Sequence, residues 1–112
     1  MTTAIQRTVL VLGRRLAEPA LLSPEDLDGS TSIVVIAVGW PLTDAQHQAV
    51  EAARAVAQGS RLAFDAMLVG SFAAGVEMIS GRDRVLLGAD RREARRLRRL
   101  LQPRLITARV AR

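Results

Sequence analysis

Residues 31–57, TSIVVIAVGWPLTDAQHQAVEAARAVA, decide the fold. Ile33, Val34, Val35, Ile36, Ala37 and Val38 form an unbroken run of small and β-branched apolar side chains. A run without polar alternation fits a strand covered on both faces, the usual condition in a parallel sheet. Pro41 ends the strand after Gly39 and Trp40, because it offers no N–H to a ladder and drives Trp40 out of the helical region. Thr43 then reads as an N-cap, with Gln46 three residues on to complete a capping box. On a helical projection Ala45, Ala49, Val50, Ala52, Ala53, Val56 and Ala57 cover a wide apolar arc, opposite His47, Glu51, Arg54 and Gln58. The only histidine therefore belongs on the solvent side. Gly59 is the expected helix stop.

The same unit recurs on either side. Apolar runs end in glycine at Gly13, Gly39, Gly70 and Gly88, and three are soon followed by an N-cap type: Thr43, Ser71 and Asp90. Repeated strand, glycine, cap and helix are what βαβ crossovers look like in sequence. Residues 7–13 (RTVLVLG) read as the first strand. Ser23, Pro24, Glu25 and Asp26 mark the start of a short helix closed by Gly29. Residues 84–88 read as a further strand. Asp90 caps the helix that follows, with Glu93 in capping-box position, and Pro103 ends it. Residues 105–110 (LITARV) read as a final edge strand, with Arg109 and Arg112 at its end.

Residues 61–79 admit two readings. As strand then helix, Leu62, Phe64, Ala66 and Leu68 alternate with their neighbours, and Ser71 caps a short helix to Ile79. As one helix capped by Ser60, residues Phe64, Leu68, Phe72, Val76 and Ile79 share a stripe. The glycine recurrence favours the first. The expected fold is then a small three-layer α/β sandwich with a mainly parallel sheet of four or five strands. The alternative is α+β, a helical hairpin packed on a smaller sheet.

Composition narrows the function. The 112 residues suit one α/β domain, spanning 1–112. Apolar residues make up 49% of the chain, a surplus that predicts a homodimer with the final strand as its seam. Residues 62–79 are long enough to span a membrane, but Asp65, Glu77 and two glycines exclude it. The N-terminus lacks a charged-then-apolar leader, so a cytoplasmic location is expected. No cysteine is present, which removes disulfides, thiolate nucleophiles and Cys-based metal sites. One histidine and scattered acids build no zinc site, and no metal or cofactor is expected. Lysine and asparagine are both absent, which points to a GC-rich bacterial genome rather than to a chemical choice of arginine.

Charge is unevenly placed. Residues 1–81 hold 5 Arg and 8 acids, net −3; residues 82–112 hold 11 Arg and 3 acids, net +8. On the last helix Ala94, Leu97, Leu100 and Leu101 share one arc, while Arg91, Arg92, Arg95, Arg96, Arg98 and Arg99 fill the other. Six like charges on one face repel, and a counter-charge would relieve them.

Nucleotide-binding, P-loop, zincin and serine-hydrolase signatures are absent, so no catalytic residue is assigned. A receiver domain needs acids after its first strand, where this chain has Arg14 and Arg15, and a late lysine. The expectation is a non-enzymatic binding or regulatory module whose six arginines contact an acidic partner or a nucleic-acid backbone. The plainer reading of that face is a solvated one, or one paired with acids of the −3 segment. The alternative function is a small anionic ligand, bound or transformed at the carboxyl ends of the strands by Arg14, Arg15, Trp40, Thr43, Ser71 and Asp90.

Overall fold

The computed structural model describes residues 6–18 and 20–111. Among the described residues five strands form one sheet: β1 (Gln6–Leu12), β2 (Ser30–Val38), β3 (Ala63–Val69), β4 (Arg84–Gly88) and β5 (Ala108–Val110). Their order is β3-β2-β1-β4-β5, and every pairing is parallel. Three α-helices, α1 (Asp44–Gly59), α2 (Phe72–Glu77) and α3 (Arg91–Leu101), connect them, with 3₁₀ turns at Pro24–Leu27 and Gln102–Arg104. Residues 61–79 are thus strand and helix, and the small parallel α/β architecture is the one the glycine recurrence predicts. The strand order follows the 3-2-1-4-5 arrangement of doubly wound sheets, not the 2-1-3-4-5 of flavodoxin-like ones.

Right-handed crossovers dictate the layers. The chain steps one way from β1 to β2 to β3, which puts the first 3₁₀ turn and α1 on one face. It then steps the other way from β3 to β4 to β5, which puts α2 and α3 on the opposite face. Strand alternation divides the core accordingly. Val9, Val11, Val34, Ile36, Val38, Val85 and Leu87 meet Phe72, Val76, Ala94, Leu97 and Leu101 under α2 and α3. Leu10, Leu12, Ile33, Val35, Ala37 and Leu86 meet Ala20, Ala49, Val50, Ala53 and Ala57 under α1. Leu97 and Leu101 are fully buried, and each contributes about 2–3 kcal/mol of transfer free energy. They fix which face of α3 looks outward.

Ser23, Thr43, Ser71 and Asp90 all stand at N-caps, as the residue types predict. The stop of α1 differs from expectation. Gly59 is its last helical residue, and Arg61 takes the left-handed conformation, φ 55°, that a C-terminal glycine would have carried. The last strand also begins later, at Ala108, because Leu105 turns the chain at φ 58°. His47 and Glu51 face solvent, and so do Asp65 and Glu77. The reading of the N-terminus and the placing of Arg112 fall at least partly outside the described residues.

At the amino ends of the strands Arg7 grips Asp83 through two hydrogen bonds, 3.0 and 2.6 Å. Asp83 raises the Arg7 pKa through that bonding, against a partial loss of hydration. No described helix is long and apolar enough to cross a membrane.

Candidate anion-binding face

α3 starts where Asp90 accepts the Glu93 N–H at 2.8 Å. With Ala94, Leu97 and Leu101 committed to the core, Arg91, Arg92, Arg95, Arg96, Arg98 and Arg99 are all exposed. Two are partly engaged. The Arg96 guanidinium lies 5.5 Å from the Phe72 ring centre, and Arg98 donates to the Ala108 carbonyl at 3.3–3.4 Å. Among the described residues none of the six is ion-paired with a carboxylate; the pairs formed are Arg7–Asp83, Arg54–Glu51, Arg104–Glu77 and Arg109–Asp26. The face is therefore not neutralised within the described chain.

Between α3 and the last strand runs an open cleft of about 600 Å³, with Arg91, Arg95, Arg98 and Arg99 along one side and Val110 on the other. Asp90 also lines it. Four arginines thus line one open surface, an arrangement that suits several anionic oxygens at once. Arg92 and Arg96 extend the charge beyond it.

Of the residues read at the carboxyl ends, Arg14, Thr43 and Ser71 make bonds within the fold. Arg14 donates to the Pro41 carbonyl and lies over Gly39, whose φ is 100° and whose added Cβ would meet the Arg14 Cδ at 2.5 Å. Thr43 accepts from Gln46 at 3.1 Å, Ser71 from Ala74 at 3.1 Å. Trp40 is 76% exposed. Arg15 is exposed, but its backbone N–H is spent on Glu93.

Glu93 is the residue that sequence reasoning misplaced. Its carboxylate leaves the capping-box position open. It turns instead into the crevice between the ends of β1 and β4, where the chain departs to opposite faces. There it accepts the Arg15 N–H at 2.8 Å. Glu93 is buried, and a Cβ on Gly13 would stand 2.5 Å from its Oε1. The Gly13 N–H is itself bonded to the Gly88 carbonyl at 2.9 Å. A bound phosphate would need these N–H groups and this space.

Spacing marks Gln46 as half of a capping box, which it does form through the Thr43 N–H at 3.0 Å. Its amide also donates to the Leu12 and Val38 carbonyls at 3.2 and 2.9 Å, closing the ends of β1 and β2. Capping-box spacing carries no signal for either role, since the Gln46 partners lie 8 and 34 positions away and the Glu93 partner 78.

Comparison with protein-family models, with curated proteins and with solved structures gives no match. Fold and face together define a small doubly wound α/β domain that carries a cationic helix beside one sheet edge.

Proposed function

We propose that the chain is a non-enzymatic binding module that holds an anionic partner, a nucleic-acid backbone or an acidic protein surface, on the arginine face of α3. The observation that supports it is the exposure of six guanidinium groups without a carboxylate partner among the described residues. Four of them share a cleft. Phe72 is buried under Arg96, and Trp40 follows the end of β2, so stacking of bases on α3 is not part of the reading. Contacts are to charge, and sequence preference is weak.

The alternative, a small anionic ligand at the carboxyl ends of the strands, draws less support. The Glu93 carboxylate already fills the crevice at the topological switch and would repel the ligand.

The experiment is fluorescence anisotropy with labelled duplex DNA, duplex RNA and polyglutamate across a salt series. Binding to a duplex should weaken on a log–log slope of about −0.9 per neutralised phosphate. Replacing Arg92, Arg95 and Arg99 together by Ala should flatten that slope by about 2.7. Preference for polyglutamate over both duplexes would assign an acidic protein partner. No binding to any of the three at low salt, or an unchanged slope in the triple variant, would refute the proposal.

A further inference from the structure

The two edges of the sheet are unlike. At one, β5 is three residues long, Arg98 occupies the Ala108 carbonyl, and Arg109 is ion-paired with Asp26. At the other, β3 runs for seven residues, AFDAMLV, with Asp65 its single charge and no proline, glycine or lysine. An unguarded edge of this kind is a template for another strand. Leu68 is 45% exposed, and Ala66 is exposed beside it.

The ladder fixes which backbone groups on β3 are open. Gly39 donates to the Val69 carbonyl at 2.9 Å, so Ala63, Asp65, Met67 and Val69 turn their N–H and C=O groups toward β2. Alternation along the strand turns those of Phe64, Ala66 and Leu68 outward. The side chains of these three lie on the α1 side, where Phe64 packs against the core, while Met67 and Val69 pack on the other.

We propose that the chain forms a two-fold homodimer through antiparallel pairing of β3 with β3 of a second copy, the axis passing beside Ala66. In this register Ala66 exchanges two hydrogen bonds with its counterpart, and Phe64 and Leu68 exchange two with each other at either end. All the outward groups of the strand are satisfied. On the α1 side Phe64 faces Leu68 of the second copy and Ala66 faces Ala66, an apolar row closed on itself. On the other side Asp65 faces Met67. Moving the axis to Asp65 sets two carboxylates face to face, and moving it to Met67 leaves Phe64 without a strand partner. Charge and register therefore select the Ala66 axis. The seam lies on the sheet edge opposite the arginine cleft and does not depend on what that cleft holds.

Sedimentation velocity tests it. The wild-type protein should run at twice the monomer mass. Leu68→Lys should run as a monomer, and so should Ala66→Pro, which removes an outward N–H that β2 does not use, a position where edge strands accept proline. Ala66→Cys, in a chain without cysteine, should oxidise to a disulfide-linked dimer, since a hydrogen-bonded pair holds its Cα atoms about 5.5 Å apart. Gln102→Cys on α3's side should not. The two Asp65 groups end on a diagonal about 7–8 Å apart, so salt should tighten the dimer, opposite to its effect on polyanion binding. Should Ala66→Pro fail to fold, the lysine and cysteine variants decide. A wild-type monomer at every concentration, or a dimer that survives Leu68→Lys and is not locked by Ala66→Cys, would overturn the proposal.

Discussion

Replacing Arg92, Arg95 and Arg99 by Ala should make the protein more stable. On α3 the exposed arginines form three pairs at i,i+3 spacing (92–95, 95–98, 96–99) and three at i,i+4 (91–95, 92–96, 95–99). Every one of the six contains Arg92, Arg95 or Arg99. Like charges at these spacings cost about 0.2–0.5 kcal/mol each on an exposed helix, so the triple variant should gain about 1–3 kcal/mol. The helix dipole adds little, because Arg92 in the first turn is unfavourable and Arg99 in the last is favourable by similar amounts. Arg96 and Arg98, which touch Phe72 and Ala108, are untouched. Urea titration followed by far-UV circular dichroism measures the gain as a shift in midpoint at constant slope. The gain should shrink with salt, since these charges are exposed and screened. A triple variant less stable than wild type by more than about 1 kcal/mol would mean that the arginines hold the fold together, and a gain indifferent to salt would mean that charge repulsion is not its source.

Gln46→Glu keeps the bond to the Thr43 N–H but sets a carboxylate against the Leu12 and Val38 carbonyls in a buried site. Burial and those carbonyls favour the neutral form and raise the folded-state pKa above the unfolded value of about 4.3. Compared with wild type at the same pH, the variant should be least impaired below about pH 4 and fall behind as pH rises through the raised value, seen as urea midpoints that diverge from wild type. Gly13→Ala should cost about 2–3 kcal/mol by pushing the Glu93 carboxylate off the Arg15 N–H, and much of the cost should vanish in a Glu93→Ala background, where the methyl has room. Additive costs in that double-mutant cycle would remove the contact as the cause. Leu105→Asn should raise the thermal midpoint by a few degrees, since Leu105 is 91% exposed at φ 58° and Asn tolerates that region at lower cost.

The parts of the fold written in local chemistry were legible in the sequence. The continuous apolar run of β2, the four N-caps and the leucine stripe of α3 each depend on neighbours within a few positions. Where two local patterns competed, the structure decided for reasons outside the segment. Residues 63–69 form a strand because β2 offers a ladder partner along their whole length, which periodicity in 61–79 cannot reveal. Gly59 failed as a stop because the helix runs on to satisfy the Ser60 N–H on Val56, and Arg61 absorbs the turn. Glu93 had a local partner within reach at Asp90 and took a remote one. The arginine face was legible in full, because sorting leucine from arginine around a helix is itself the burial pattern. Whether acids elsewhere in the chain would neutralise it was not, since that depends on tertiary position. The last strand does lie at a sheet edge, as its sequence suggests. What residues 105–110 do not reveal is that Arg98, which bonds the Ala108 carbonyl there, arrives from α3.

β1, the earliest of the five strands, is the middle strand of the finished sheet. β1 pairs with β2 soon after it in the chain, but its other neighbour is β4, and the Arg7–Asp83 clasp spans 76 positions. At about 5–20 residues per second, a ribosome needs roughly 4–15 s to deliver that second neighbour. During this interval β1, β2 and β3 can form a half-sheet whose new edge is the bare backbone of VLVL, with the Val9 and Val11 face uncovered until α2 and α3 emerge. Pairings this distant in sequence also slow refolding of the released chain. The growing chain is therefore most exposed to misassembly not at its ends but at what becomes its centre, and a nascent-chain chaperone would find its target there.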